Sequence, residues 1–176
     1  MVRHSGFTLL ELLVALGIVA ILLGLGTPSL RTLVQDSRRT QTVNSLVHSF
    51  HLARTSAIRN GHEVAVCPRG SGDLCSENPA GWAQGWLVFV NSDGDQPAFR
   101  DPDEPLLLSR EPAPDVSISS NRRAFHYRPF NRRSTNGTLI YCDDRGDDAA
   151  RAVIVSYTGR PRVTKRSASG ELLNCS

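Results

Sequence analysis

The sequence lacks the short strings that accompany most well-known catalytic sites. It has no phosphate-binding loop, no nucleophile elbow and no metal-protease motif, so no such string accompanies its five histidines. Its four cysteines form no C-x-x-C pair, and no histidine lies beside the later two, which argues against zinc. We therefore predict that the chain is not an enzyme and that it holds no metal and no cofactor.

The sequence does contain one long apolar run, from Leu12 to Leu25, which carries no charged residue. With its flanks, the segment 7–27 is long enough to cover roughly 30 Å of hydrocarbon at about 1.5 Å per residue. One acid, Glu11, lies at the start of this segment. Because an unpaired carboxylate is costly in lipid, Glu11 needs a partner, and an amine is the simplest one.

A short basic leader and the string GFTLLE, residues 6–11, precede the apolar run. This arrangement resembles the class III signal of type IV prepilins and type II secretion pseudopilins. The resemblance implies cleavage after Gly6 by a prepilin peptidase, N-methylation of Phe7, and pairing of Glu11 with the new terminal amine as the subunit assembles with major and minor pilins. An ordinary secretory signal is the alternative, but it would be cut after the apolar run rather than before it.

Helical periodicity continues beyond the apolar run, with apolar residues at spacings of three and four. The members of this predicted buried stripe are Leu30, Leu33, Val34, Val43, Leu46, Val47, Phe50, Ala53, Ala57 and Ile58. The pair Asn60 and Gly61 is typical of a helix end. The predicted organisation is a prepilin leader at 1–6, a transmembrane and assembly helix at 7–27, an amphipathic helix at 28–60 and a periplasmic β-rich head at 61–176.

Beyond Gly61 the pattern changes to short β-prone runs separated by loops rich in Gly, Asp, Asn and Pro. The runs predicted as strands are 63–67, 86–90, 106–109, 116–119, 124–127, 138–142 and 152–157. No further helix-length pattern appears in the sequence. The expected fold class is α+β, with a long N-terminal helix packed on a C-terminal antiparallel β-sheet head, which is also the type IV pilin fold that the resemblance implies.

The even number of cysteines indicates disulfides, because a head facing the periplasm lies in an oxidising compartment. Three pairings are possible. We favour Cys67 with Cys75, which closes a small loop, and Cys142 with Cys175, which ties the last residues back onto a strand.

Three internal segments strengthen and narrow the resemblance. Residues 52–61, 85–91 and 159–160 look like those of the GspH/FimT-type minor pilins and pseudopilins. This implies a single-pass protein of the bacterial inner membrane, with its head in the periplasm, that becomes part of a pilus at the cell surface after assembly.

Basic residues concentrate in two windows without acids, 117–141 and 149–170. In the second window, residues 159–162 (GRPR) resemble the Gly-Arg-x-Arg motif of FimT-type pilins. In that family a C-terminal basic surface binds DNA during natural transformation. The resemblance implies sequence-independent DNA binding by Arg160 and Arg162, extended by Lys165 and Arg166.

The spacing agrees with this role, because alternate side chains of an extended segment share a face. Aromatic residues make up only 6% of the chain, and Tyr157 alone stands near the motif, so base stacking is not expected. The alternative is that these arginines pair with acids of neighbouring minor pilins. Four further arginines would join the basic surface only if the fold brings their loop alongside: Arg122, Arg123, Arg132 and Arg133.

The resemblance thus implies a minor type IV pilin of the FimT/FimU kind, in or at the tip of a pilus, that binds DNA. Two alternatives remain open: a purely structural minor pilin that primes assembly, and a type II secretion pseudopilin of the GspH type. The oxygen-rich string at 91–95 has no glutamate at the position that would complete a calcium-binding loop, and we predict a turn there.

Overall fold

The structure, a computed structural model, describes residues 6, 8–111, 113, 115–129 and 133–175, with the backbone alone at residues 23–29. The chain forms two compact units, Met1–Thr40 and Gln41–Ser176. A single 52-residue helix, α1 (Leu9–Asn60), begins in the first unit and ends in the second. Where side chains are described, no stretch of helix combines the length and apolar character needed to cross a membrane.

The described part of the second unit contains eight strands in two antiparallel sheets. The strands are β1 (Val64–Pro68), β2 (Trp86–Val90), β3 (Leu106–Arg110), β4 (Val116–Ser120), β5 (Phe125–Tyr127), β6 (Gly137–Asp143), β7 (Arg151–Val155) and β8 (Pro161–Thr164). The first sheet has the order β3-β2-β1-β5 and the second has the order β4-β6-β7-β8. The expected α+β class is therefore confirmed, with two four-stranded sheets in the head.

The apolar stripe of α1 packs into the head, and its buried members are Val43, Leu46, Phe50, Ala53 and Ala57. Val47 is partly buried. Leu30, Leu33 and Val34, which belong to the first unit, are 62%, 66% and 48% exposed, so their assignment to the buried stripe is wrong. Ile58 is 58% exposed, so its assignment is wrong too. It follows Ala57 directly, and a step of one residue along a helix turns the side chain away from the face that its neighbour buries.

Both sheets contribute their inner faces to the core around α1. The ring centroids of Phe50 on α1 and Phe125 on β5 lie 5.0 Å apart. Trp86 of β2 donates its indole N–H to the hydroxyl of Ser49 on α1 at 2.8 Å, and both groups are buried. This bond satisfies two polar groups that would be costly to bury alone.

The second sheet is covered on both faces. Val153 and Val155 of β7 belong to the core around α1, whereas Ala152 and Ile154 pack with Leu173 near the C-terminus. A strand buried on both faces is uniformly apolar instead of alternating. This explains why Ala152 to Val155 forms a continuous apolar run.

Gly61 ends α1 in the way that the sequence predicts. It has φ +72°, and its N–H donates to the carbonyl of Ala57 at 3.1 Å. A left-handed residue at this position lets the chain leave the helix without steric cost when that residue is glycine. The chain then enters β1 three residues later.

Candidate functional site

The segment predicted to bind DNA begins in a tight turn between β7 and β8. Gly159 is buried and has φ +72°, and a Cβ built on it would lie 2.6 Å from Cε1 of Tyr127. The N–H of Gly159 donates to the carbonyl of Ser156 at 2.8 Å, and the N–H of Ser156 donates to the carbonyl of Arg160 at 3.1 Å. Only glycine fits this position, and the turn fixes the position of Arg160 just before β8.

Arg162 lies on β8, an edge strand, and its side chain is exposed. It pairs in register with Ile154 of β7, so the two side chains share a sheet face. Pro161 is the first residue of β8, a position where a missing N–H is tolerated. The edge strand β8 therefore presents Arg162 to solvent next to Ile154, which packs with Leu173.

Lys165 and Arg166 follow β8 and are both exposed. The guanidinium of Arg166 donates to the carbonyl of Gly170 at 2.9 Å, so part of its hydrogen-bonding capacity holds the C-terminal turn together. Among the described residues, no hydrogen bond or ion pair engages the side chains of Arg160, Arg162 and Lys165. These three cations are available to an anionic partner.

Arg160 also lines a cavity of about 500 Å³ in the head, which we call the arginine cavity. Three more arginines line it, from three other segments: Arg54 of α1, Arg128 after β5, and Arg133 before β6. The described lining residues include no carboxylate. The fold thus brings together basic side chains that are far apart in the sequence.

The arginines of the cavity are held in different ways. Arg54 donates its Nε–H to the carbonyl of Thr158 at 3.1 Å, which ties α1 to the turn before β8. The guanidinium carbon of Arg133 lies 5.7 Å from the ring centroid of Tyr157, within cation–π range. Arg128 is paired with Glu63 at 3.0 Å between Nε and Oε2. Glu63 therefore compensates the charge of Arg128, whereas the described lining residues offer no carboxylate to the other three arginines.

Glu63 is the centre of a polar network beside this cavity. Its carboxylate lies 2.7 Å from Nδ1 of His126, 3.0 Å from Arg128 and 3.0 Å from the amide of Asn91. Burial alone would raise the pKa of Glu63, but the hydrogen bond and charge of His126, together with Arg128, outweigh it and lower the pKa. The network holds Arg128 in place.

Tyr127 forms part of the cavity wall. Its hydroxyl is buried and has no hydrogen-bond partner among the described residues. Burial raises the pKa of Tyr127 well above its ordinary value, although the charge of Arg54 opposes the shift. The phenol therefore stays protonated and keeps a proton to donate.

Four arginines are expected to join the basic surface only if the fold brings them alongside, and they differ in their positions. Arg133 lines the arginine cavity, whereas Arg122 and Arg123 do not, and Arg132 lies outside the described residues. Arg122 donates its Nε–H to the carbonyl of Asn136 at 3.0 Å. Arg54 is not predicted as a site residue from the sequence, because a helical arginine 106 positions before Arg160 carries no local signal of proximity.

At the N-terminus, the described residues include Gly6 and Glu11, and Phe7 lies outside them. The hydroxyl of Thr8 accepts a hydrogen bond from the backbone N–H of Glu11 at 3.2 Å. Thr8 precedes the first helical residue, so this is an N-cap with an acid at the third helical position, where the helix dipole favours negative charge.

The structure contains the disulfides Cys67–Cys75 and Cys142–Cys175, which are the pairs favoured from the sequence. The second bond joins β6 to the C-terminal segment across 33 positions. It holds the segment that buries Leu173 against the outer face of the second sheet.

Among the described residues, no group of His, Cys, Asp and Glu side chains is arranged to hold a metal ion. The string at 91–95 forms local turns, in which Asn91 accepts from the N–H of Gly94 at 3.2 Å and Asp93 accepts from the N–H of Asp95 at 3.1 Å. Asn91 and Asp93 thus each use a side-chain oxygen within the loop, as the predicted turn requires.

Comparisons with known proteins bear on both ends of the chain. The family model of the type II transport protein GspH matches residues 42–159, and the model of the prokaryotic N-terminal methylation motif matches residues 1–27. No curated protein sequence matches.

Two crystal structures of the type IV minor pilin FimU from Pseudomonas aeruginosa resemble the chain. One has a TM-score of 0.55 at 15% identity and covers 78% of this chain and 99% of that chain. The other has a TM-score of 0.56 at 15% identity and covers 81% of this chain and 98% of that chain. The likeness establishes that the fold is shared.

Proposed function

Because the chain belongs to the family of the type II transport protein GspH and is a type IV minor pilin or pseudopilin, we propose that it is a pilus subunit that captures DNA. The proposed contacts are Arg160, Arg162, Lys165 and Arg166, which bind the phosphate backbone without reading sequence. This capture would serve natural transformation.

The observation that carries the proposal is a set of exposed cations without partners. Within the described part of the chain, the side chains of Arg160, Arg162 and Lys165 are engaged by no hydrogen bond or ion pair. Arg166 stands next to them, although one of its nitrogens is used by Gly170. Guanidinium and ammonium groups at an exposed sheet edge are suited to phosphates, and such contacts fix position without specifying sequence.

The test is DNA binding by the full chain in a non-ionic detergent, measured by fluorescence anisotropy over a salt series. The double variant Arg160→Ala with Arg162→Ala should bind more weakly, and the slope of log affinity against log salt should fall by about 1 for each phosphate that the variant no longer neutralises. Arg38→Ala with Arg123→Ala is the matched control, since it removes the same charge from other exposed positions. Equal binding by the two doubles would refute the proposed contacts.

For the N-terminus, we propose that a prepilin peptidase cuts after Gly6, that Phe7 is then N-methylated, and that Glu11 pairs with a terminal amine during assembly. In a low-dielectric helical bundle the two opposite charges are cheaper together than apart. The proposal includes an inner-membrane helix at 7–27, a helix at 28–60 and a periplasmic head at 61–176 before assembly with other pilins. Mass spectrometry of the native protein should find a methylated chain that starts at Phe7.

A second candidate function is that of a type II secretion pseudopilin, and the family match favours it because that family is described as a type II transport protein. A pseudopilin would need the same processing and the same N-terminal assembly helix, but not DNA capture. Deletion of the gene separates the two candidates: loss of secreted proteins with normal transformation would indicate the pseudopilin. Loss of transformation with normal secretion would indicate the pilus subunit.

A further inference from the structure

The arginine cavity is strongly cationic because of the residues that line it. Arg128 is neutralised by Glu63, but Arg54, Arg133 and Arg160 face no carboxylate among the described lining residues. Arg54 uses its Nε–H on the carbonyl of Thr158, and its two terminal nitrogens make no hydrogen bond to any described residue. A concave site lined by one sign of charge focuses the field and concentrates counterions.

The donors of the cavity suit a tetrahedral anion. Arg54 comes from α1, Arg133 from the segment before β6 and Arg160 from the turn before β8, so the three guanidiniums approach from three segments. A planar carboxylate is satisfied by one bidentate arginine, whereas a phosphate presents oxygens in several directions. Tyr127 forms part of the same wall, and its buried hydroxyl has no hydrogen-bond partner among the described residues.

The size of the cavity also distinguishes it from a simple ion pocket. Its volume of about 500 Å³ lies within the range of about 300–1,000 Å³ that is usual for sites of small organic ligands. A phosphate with its attached sugar therefore has room to enter. Tyr157, which is 57% exposed, stands at this site with Arg133 over its ring.

We propose that the arginine cavity is a phosphate-binding subsite for a nucleic-acid strand, with Arg54, Arg133 and Arg160 as its donors. This inference rests on the proposed DNA capture and extends it from the edge strand β8 to the helix α1. Arg160 belongs to both parts, so a strand that follows β8 would place one phosphate in the cavity.

The first test uses the full chain in a non-ionic detergent and a fluorescently labelled single-stranded oligonucleotide. Arg133→Gln should weaken binding about tenfold, as expected when one charge-assisted hydrogen bond is removed, and should reduce the salt slope by about 0.7. Arg123→Gln is the matched control, because Arg123 is exposed and does not line the cavity; it should change binding less than about twofold. Arg54→Lys, which keeps the charge but loses the planar fork, should fall between the two.

Comparison with Arg162→Gln separates failure of the subsite from failure of the proposed function. If Arg162→Gln weakens binding while Arg133→Gln behaves like Arg123→Gln, the subsite is wrong and DNA capture by β8 stands. If the unmodified chain does not bind the oligonucleotide even at low salt, DNA capture is wrong, and the subsite is wrong as a nucleic-acid site.

Inorganic phosphate tests the cavity independently of DNA. In NMR spectra, the amide signals of Ser134 and Thr158 should shift when phosphate is added at constant ionic strength, and Arg133→Gln should abolish the shift. Phosphate shifts without oligonucleotide binding would overturn DNA capture and leave the cavity as a phosphate site. A glutamate-rich peptide that shifts these signals when phosphate does not would overturn the subsite in favour of an acidic partner protein.

Discussion

Replacing Gly159 with alanine should destabilise the head and should do so mainly through a collision with Tyr127. Gly159 has φ +72°, and a Cβ there would lie 2.6 Å from Cε1 of Tyr127 and 3.0 Å from Oγ of Ser134. The left-handed conformation costs a non-glycine residue about 1–2 kcal/mol, and overpacking adds about 1–3 kcal/mol. Gly159→Ala should therefore lower the free energy of unfolding by about 2–5 kcal/mol.

Gly94 provides a matched control. It has the same φ of +72°, but a Cβ there would meet nothing within 4 Å, so Gly94→Ala should lose only about 1–2 kcal/mol. Urea unfolding of the full chain in non-ionic detergent can be followed through Trp82 and Trp86, which are both buried in the head. Equal losses in the two variants would refute the collision and with it the role of Gly159 in setting the turn before Arg160.

Three more predictions concern the stability of the head. Removing the second disulfide with Cys142→Ser and Cys175→Ser should lower the free energy of unfolding by about 2–4 kcal/mol, because the bond restricts the unfolded chain; no loss in urea unfolding would contradict this. Ser49→Ala should cost about 1–3 kcal/mol, since it leaves the buried indole N–H of Trp86 without its acceptor, and an unchanged urea midpoint would argue against that bond. The lowered pKa of Glu63 stabilises the head at pH values above the unfolded pKa of about 4.3, and this contribution is lost as the pH falls through the folded pKa. The difference in unfolding free energy between the natural chain and Glu63→Gln should therefore shrink from pH 7 to strongly acid pH. A difference that stays constant with pH would contradict this.

The sequence predicts elements well where burial imposes a period. The stripe of α1 is identified because its buried side chains recur at helical spacing. The run at 86–90 is identified because its side chains are buried together. β8 (Pro161–Thr164) is not among the predicted strands, because its residues are partly buried or exposed and its first residue is proline. An exposed edge strand shows little hydrophobic pattern in its sequence. Its register depends instead on pairing with β7.

The candidate site, too, can be predicted from the sequence only in part. The resemblance to a basic motif identifies Arg160 and Arg162, but it says nothing about which other cations lie beside them. Arg54 and Arg133 reach the arginine cavity only through the packing of α1 and of the segment before β6. Such long-range proximity follows from tertiary structure, and no local pattern in the sequence encodes it.

The bond between Cys142 and Cys175 gives the chain a second covalent route to its own end. Lys165 and Arg166 are exposed, so trypsin can reach the peptide bonds that follow them. After such a cut the final segment would stay attached through sulfur, and Leu173 could remain on the outer face of the second sheet. The nicked protein would separate into two pieces only when a reductant is added.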